Sequence, residues 1–173
     1  DRVKAISLFE EALTQIPEGM TEHYTLQGLL FLSHGKVLDA TGVFHQALKI
    51  NPDDFNANNR LGLIYMGRYG ETFKDTGRAL DFNKKAFDLN REDMAVVQNL
   101  ALNYFELGKY NDAFPLLKGL NRNIPDNKLT AYYLGIAYYQ LGYAYEAKKT
   151  LAPLAETNPE IKNELVREIL GEL

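Results

Sequence analysis

Two consecutive stretches of 34 residues, 94–127 and 128–161, carry similar residue types at the same positions. The matched pairs are Leu100/Leu134, Ala101/Gly135, Tyr104/Tyr138, Gly108/Gly142, Ala113/Ala147, Leu117/Leu151 and Pro125/Pro159. A period of this length is typical of stacked supersecondary units rather than of one globular core. Because Gly favours the end of a helix and Pro prevents its continuation, each stretch is predicted to be one helix–turn–helix.

The same columns continue on the N-terminal side of these two stretches. Residues 21–54 form a further full unit and residues 55–93 another, whereas residues 1–20 match only the second helix of a unit, at Ala5, Phe9, Ala12 and Pro17. We therefore expect more repeat to precede Asp1 in the native protein. The alternative is that residues 1–20 simply pack on the next helix pair. Residues 160–173 have the amphipathic pattern that a capping helix needs.

The unit at residues 55–93 contains five extra residues, which fall within residues 68–77 between its two helices. Insertions in repeat proteins map to loops and often serve binding, and in this loop Tyr69 and Phe73 would be the contact residues. The alternative is a longer turn without a function, because the free energy of loop closure changes slowly with length.

Two prolines fall inside predicted second helices. Pro115 is predicted to lie near the first turn of its helix, where the missing N–H has no consequence. Pro153 lies deeper in its helix and is predicted to kink or break it.

These columns together resemble the tetratricopeptide repeat, a helix pair of about 34 residues. The resemblance implies an all-α fold, built as a right-handed superhelical solenoid of antiparallel helix pairs. It also implies a protein–protein interaction scaffold without catalytic residues, whose first helices line a concave groove that binds a peptide or an amphipathic helix.

Composition excludes several other classes of function. The net charge is −4 and the Lys and Arg residues are scattered, so no basic face for nucleic acid is predicted. Cysteine is absent, and no apolar run approaches the roughly 18 residues that would indicate direct membrane insertion. The sequence shows no signal peptide, which favours the cytoplasm, although the chain opens without Met and its compartment stays open.

No cofactor, metal or catalytic site is predicted. The histidines His23, His34 and His45 are spaced by 11 residues, which on one helix axis is about 16 Å and too far for a shared metal. The chain also lacks a glycine-rich phosphate loop and a nucleophile elbow. We therefore expect a protein that is not an enzyme.

The resemblance assigns groove-facing roles to the fifth, sixth, ninth and twelfth positions of each first helix. The residues assigned to the groove are Thr25, Asn59, Gln98 and Tyr132 at the fifth position; Leu26, Arg60, Asn99 and Tyr133 at the sixth; Leu29, Leu63, Leu102 and Ile136 at the ninth; and Met66, Phe105 and Tyr139 at the twelfth.

The ninth position is usually polar in the family, but it is aliphatic in every repeat of this chain. Contiguous exposed apolar surface of this kind tends to mark an interaction site. We therefore expect an apolar stripe that seats the apolar face of an amphipathic helix. The alternative is that neighbouring first helices bury the ninth position between them.

Two other functions stay open. The exposed N-terminal helix of one protomer could dock on another copy, giving a self-assembling bacterial scaffold that coats an organelle or membrane surface. The segment 109–117 resembles that of magnetosome-associated members of the family. A role in the assembly of pili or of outer-membrane machinery is a further alternative.

Overall fold

The computed structural model describes residues 2–172, without the side chains of Arg2, Val3 and Ala5. Within this range the chain forms α-helices and short 3₁₀ turns and contains no strand. The helices are α1 (Arg2–Gln15), α2 (Thr21–Ser33), α3 (Val37–Ile50), α4 (Phe55–Tyr65), α5 (Thr76–Leu89), α6 (Met94–Glu106), α7 (Tyr110–Asn123), α8 (Lys128–Gln140), α9 (Ala144–Thr157) and α10 (Glu164–Leu170). The predicted all-α fold class is confirmed, while the repeat match at Ala5 lies outside the described side chains.

The chain divides into two compact units, residues 1–91 and residues 92–173. In the N-terminal unit, α1 packs on α2, α2 on α3, α3 on α4 and α4 on α5. In the C-terminal unit, α6 packs on α7, α7 on α8, α8 on α9 and α9 on α10. Each unit is therefore a run of helices in which sequence neighbours are also spatial neighbours, as expected for repeats.

Short links join the two helices of most pairs, at residues 34–36, 107–109 and 141–143. Each link contains a glycine in the left-handed region, for example Gly35 at φ 74° and Gly108 at φ 69°. The turn is closed by a backbone hydrogen bond, in which the Lys36 N–H donates to the Phe31 carbonyl at 2.9 Å. Because side chains disfavour positive φ, glycine is the residue that allows so short a reversal.

The link between α4 and α5, residues 66–75, is longer and overlaps the predicted insertion at residues 68–77, whose last two residues belong to α5. It contains a 3₁₀ turn at Glu71–Phe73, and its base is closed by the Asp75 N–H, which donates to the Tyr65 carbonyl at 2.8 Å. The Asp75 carboxylate then accepts from the Arg78 N–H at 3.0 Å and caps α5. The extra residues therefore sit in a closed loop outside the helix pair.

Close helix approach depends on small residues placed opposite large ones. A Cβ on Gly28 would lie 2.5 Å from the Phe44 ring, and a Cβ on Gly135 would lie 2.5 Å from Leu151 Cγ. Both Phe44 and Leu151 are fully buried. The repeated columns of small and large residues therefore encode the contact between the two helices of a pair.

The prolines differ from expectation. Pro115 lies beyond the first turn of α7, because Ala113 N–H already donates to the Lys109 carbonyl at 3.0 Å. It therefore removes one intrahelical hydrogen bond, and the prediction that it has no consequence is wrong. The predicted break at Pro153 is also wrong, since α9 continues through it. Leu151 and Leu154 are buried on either side, and their packing holds the helix together.

The capping helix begins later than predicted. A 3₁₀ turn covers Pro159–Ile161, and α10 starts at Glu164. Asn163 sets this start, because its Oδ1 accepts from the Val166 N–H at 3.0 Å. The helix then buries Val166 and its apolar neighbours against α8 and α9, which closes the core of the C-terminal unit.

Candidate functional site

In the N-terminal unit, the predicted groove residues are divided between buried and accessible positions. Thr25 and Met66 are buried, whereas Leu26, Leu29 and Leu63 are half-buried and reach solvent. The first helices α2 and α4 therefore present an accessible aliphatic surface at the ninth position of both repeats.

Arg60 connects this surface to the inserted loop. Its Nη1 donates to the Tyr69 hydroxyl at 3.4 Å, while its Nε is buried and has no hydrogen-bond partner. Asn59 beside it and Phe73 in the loop are half-buried. Two sets of residues that were predicted separately, in the groove and in the loop, thus meet at the Arg60–Tyr69 contact.

In the C-terminal unit, the expected exposure of the ninth position is wrong. Leu102 is 3% exposed and Ile136 is 4% exposed. Ile136 belongs to the apolar cluster that contains Leu151 and Val166, so the capping helix helps to seal it. The aliphatic stripe is therefore accessible at Leu29 and Leu63 but not at these two positions.

One accessible concave feature of the C-terminal unit is a cavity of about 360 Å³ beside the N-terminal half of α8; other clefts of similar volume lie between α7, α8 and α9. Its lining includes Tyr132 and Tyr133, which the sequence assigned to the groove. The remaining lining residues were not predicted: Lys128, Leu129, Leu154, Asn158, Glu160, Ile161 and Asn163.

Aromatic contacts hold the predicted groove tyrosines in place. The Tyr133 ring lies edge-on to Phe105 at 4.8 Å between centroids and edge-on to Tyr132 at 5.3 Å. Such edge-to-face pairs contribute about 0.5–1.5 kcal/mol beyond area burial. The two tyrosine rings therefore form a restrained aromatic wall on the cavity.

The other predicted groove residues of this unit have different environments. Gln98 and Asn99 are half-buried on α6. The Tyr139 hydroxyl donates to Glu168 Oε1 at 2.5 Å. That hydrogen bond, with smaller effects of burial and of the Glu168 charge, raises the pKa of Tyr139 above its ordinary value. The Tyr139 hydroxyl therefore binds the capping helix and does not face the groove as a free donor.

A polar and aromatic cluster lies away from these surfaces, between α3, α4 and α5. His45 Nε2 lies 3.0 Å from the Tyr65 hydroxyl, and its ring lies edge-on to Phe82. Burial first, and then the positive charges of Arg78 and Lys49, lower the pKa of His45 below 6.5. The neutral imidazole is therefore the form that the folded state prefers.

This preference predicts a pH dependence of stability. Because the unfolded chain binds a proton on His45 at higher pH than the folded chain does, the free energy of unfolding should fall as the pH drops below 6.5. Urea unfolding at pH 8 and pH 5 measures the fall. The His45→Gln variant should show a smaller fall than the wild type, and an equal fall in both proteins would contradict the assignment.

Among residues 2–172, no group of three or more His, Asp or Glu side chains is arranged to hold a metal ion. None of the helices in the same range combines the length and apolar character needed to cross a membrane.

Comparison with known proteins relates the chain to repeat proteins. The tetratricopeptide repeat family matches residues 104–173. Superkiller complex protein 3 from Homo sapiens is 36% identical over 87 residues, which is 50% of this chain. The match spans only 5% of the length of that relative.

Solved structures share the fold over most of the chain. A mutant of MamA superposes with a TM-score of 0.73 at 20% identity, covering 90% of this chain and 94% of that one. YrrB, described as a TPR protein with an unusual peptide-binding site, superposes with a TM-score of 0.71 at 16% identity, covering 99% and 84%. The resemblance to the tetratricopeptide repeat family is therefore confirmed: residues 104–173 match the family directly, and the chain has the fold of its solved members.

Proposed function

We propose that this chain is a protein-interaction module that holds a segment of a partner polypeptide against its first helices. One observation carries the proposal: the cavity of about 360 Å³ in the C-terminal unit is lined by Tyr132 and Tyr133, at positions that face the groove in the family. Ligand pockets of about 300–1,000 Å³ with mostly apolar walls and a few polar groups are the usual form of a binding site.

The accessible surfaces favour an apolar or aromatic segment as the ligand. Leu29 and Leu63 reach solvent in the N-terminal unit, and Leu129 is exposed at the edge of the cavity in the C-terminal unit. Full burial of one such leucine side chain contributes about 1.5–3 kcal/mol. Tyrosines in restrained positions are also frequent centres of binding energy.

Selection from a random-peptide display library on the wild-type chain tests this proposal. For a selected peptide that contacts the N-terminal unit, replacing Leu29 and Leu63 with Lys should weaken binding at least tenfold. Burial of one leucine side chain in the complex changes the dissociation constant by a factor of about 10 to 100. Fluorescence anisotropy with the labelled peptide measures the change. Binding in the C-terminal unit is tested in the same way with Tyr133→Ala.

A matched control is available on α3. Leu38 is 70% exposed but lies on a second helix, outside the proposed surface, so Leu38→Lys should leave peptide affinity unchanged. If Leu38→Lys and the groove variants weaken binding equally, the first-helix surfaces are not the site. If the library yields no peptide for the wild type, the proposal fails.

Self-assembly is a second candidate function, and two exposed apolar side chains favour it. Leu8 on α1 is an exposed large hydrophobic residue, and Met20 in the following link is another. A second copy of this chain could cover them through a heterologous contact. Light scattering over a concentration series tests this idea, since a constant monomer mass would exclude it.

A further inference from the structure

Two joined clefts lie on the face of α8 that points away from the groove tyrosines. Their volumes are about 430 Å³ and about 400 Å³, and they share Asn121 and Tyr138. The helical period places Ala131, Leu134 and Tyr138, which line these clefts, on one face of α8. We call the joined clefts the back cleft, and the residues that define it here are Pro115, Lys118, Gly119 and Arg122 of α7 with Leu134 and Tyr138 of α8.

The α7 wall of the back cleft combines three features that disfavour a helix. Pro115 removes an intrahelical hydrogen bond, and Gly119 has low helix propensity. Lys118 and Arg122 place like charges one turn apart. Nothing lies within 4 Å of a Cβ added to Gly119, so close packing inside the fold does not require this glycine. Because natural sequences depart from local preferences mainly at functional sites, this wall is a candidate binding surface.

The two cations of this wall have no anionic partner within the fold. Among residues 2–172, neither Lys118 nor Arg122 forms an ion pair. Lys118 Nζ lies 5.8 Å from the centroid of the Phe114 ring, and that ring lies edge-on to Tyr138 at 5.0 Å. The aromatic contact orients the ammonium but leaves its charge in place. A carboxylate between Lys118 and Arg122 would relieve their repulsion and accept charge-assisted hydrogen bonds.

The floor of the back cleft is apolar and elongated. From Ala131 through Leu134 to Tyr138 it spans about 10 Å along α8, which an extended chain covers with about three residues. The α9 wall adds a third cation, Lys149, and one acid, Glu146. The acid would repel a continuous polyanion. The back cleft therefore favours a short segment that combines one or two carboxylates with an apolar side chain.

We propose that the back cleft binds an extended acidic segment of a partner polypeptide, independently of the ligand held by the first helices. In the proposed complex, a carboxylate accepts from Lys118 and Arg122, and the neighbouring apolar side chain lies against Leu134 and Tyr138. The partner backbone passes over Gly119, where no side chain blocks it. The chain thereby holds two polypeptides at once, on opposite faces of α8.

Peptide display with a competing variant tests the inference. Random heptapeptides are selected on the wild-type chain in the presence of excess soluble Lys118→Glu/Arg122→Glu, which removes peptides that bind elsewhere. The recovered peptides should be enriched in Asp and Glu. The best of them should bind the double variant at least tenfold more weakly than the wild type, as measured by fluorescence anisotropy. A peptide with Lys at its acidic positions should show the reverse preference.

Matched controls separate the site from general effects of charge and volume. Lys148→Glu/Arg167→Glu makes the same change in net charge at exposed residues outside the back cleft, so it should keep full affinity. Gly119→Leu fills the back cleft without a change in charge and should weaken binding at least tenfold. Gly42→Leu, at another helix position with open space around its Cβ, should leave affinity unchanged. Thermal unfolding should show no loss of stability in either glycine variant, because leucine is the better helix former.

Several outcomes would overturn the inference. They are the recovery of no acidic peptide, an equal loss of affinity in the two charge-reversed variants, and an equal loss in the two glycine variants. Equal competition by a DNA duplex, at matched concentrations of phosphate and carboxylate, would identify a general polyanion site instead. The proposed function is tested separately, because Tyr133→Ala should not affect the acidic peptides. If groove peptides bind and no acidic peptide is recovered, this inference alone fails.

Discussion

Gly28→Ala is expected to lower the free energy of unfolding of the N-terminal unit by about 1–3 kcal/mol, despite the higher helix propensity of alanine. The added Cβ would lie 2.5 Å from Cε1 and 2.7 Å from Cζ of Phe44. That ring is fully buried, so it has no open space into which to move. The helices α2 and α3 would have to separate, and urea unfolding measures the loss.

Gly42→Ala provides the matched control for this prediction. Gly42 lies inside α3, and nothing lies within 4 Å of a Cβ added there. The same chemical change should therefore stabilise the protein by about 0.5–1 kcal/mol, through helix propensity alone. If Gly28→Ala also stabilises the protein, glycine at that position does not serve close helix approach. Hydrogen exchange of the α2 and α3 amides would show whether the effect is local.

Val166→Asp is expected to lower the free energy of unfolding by more than about 4 kcal/mol, the range seen when an unpaired charge is buried. Val166 is fully buried in the cluster that includes Ile136, Leu151 and Ala155. A carboxyl group there would be buried among apolar side chains without a hydrogen-bond partner. We therefore expect α10 to detach from the core. Chemical unfolding and hydrogen exchange in α8 and α9 both measure the effect.

Arg167→Asp introduces the same residue at the next position of α10, where the side chain is exposed. Its effect should stay within about 1 kcal/mol, mostly from an unfavourable charge in the last turn of a helix. A similar loss in both variants would mean that α10 responds to charge rather than to burial, and would contradict the sealing role given to Val166.

Much of the fold was predictable because each helix contact repeats in the sequence. Gly28 lies opposite Phe44, and Gly135 lies opposite Leu151. These small and large residues recur at a fixed spacing within the sequence, so the pattern can be recognised from this sequence alone. The continuity of α9 through Pro153 was not predictable in this way. Its support comes from buried residues that pack on other helices, and packing of this kind overrides a local preference.

The candidate site was only partly predictable. Tyr132 and Tyr133 followed from their positions in the repeat, and both line the cavity. The burial of Ile136 did not follow, because the capping helix that covers it departs from the repeat pattern. Lys128 and Asn158 were missed for a related reason, since their contact joins residues 30 positions apart through side chains that no repeat column specifies.

The long link at residues 66–75 has a consequence for how this chain can vary. The hydrogen bond between the Asp75 N–H and the Tyr65 carbonyl joins the two helix ends directly, without passing through the residues between them. Related chains could lengthen, shorten or replace this loop without rebuilding the scaffold. The same place suits the engineered insertion of an epitope or a fluorescent reporter.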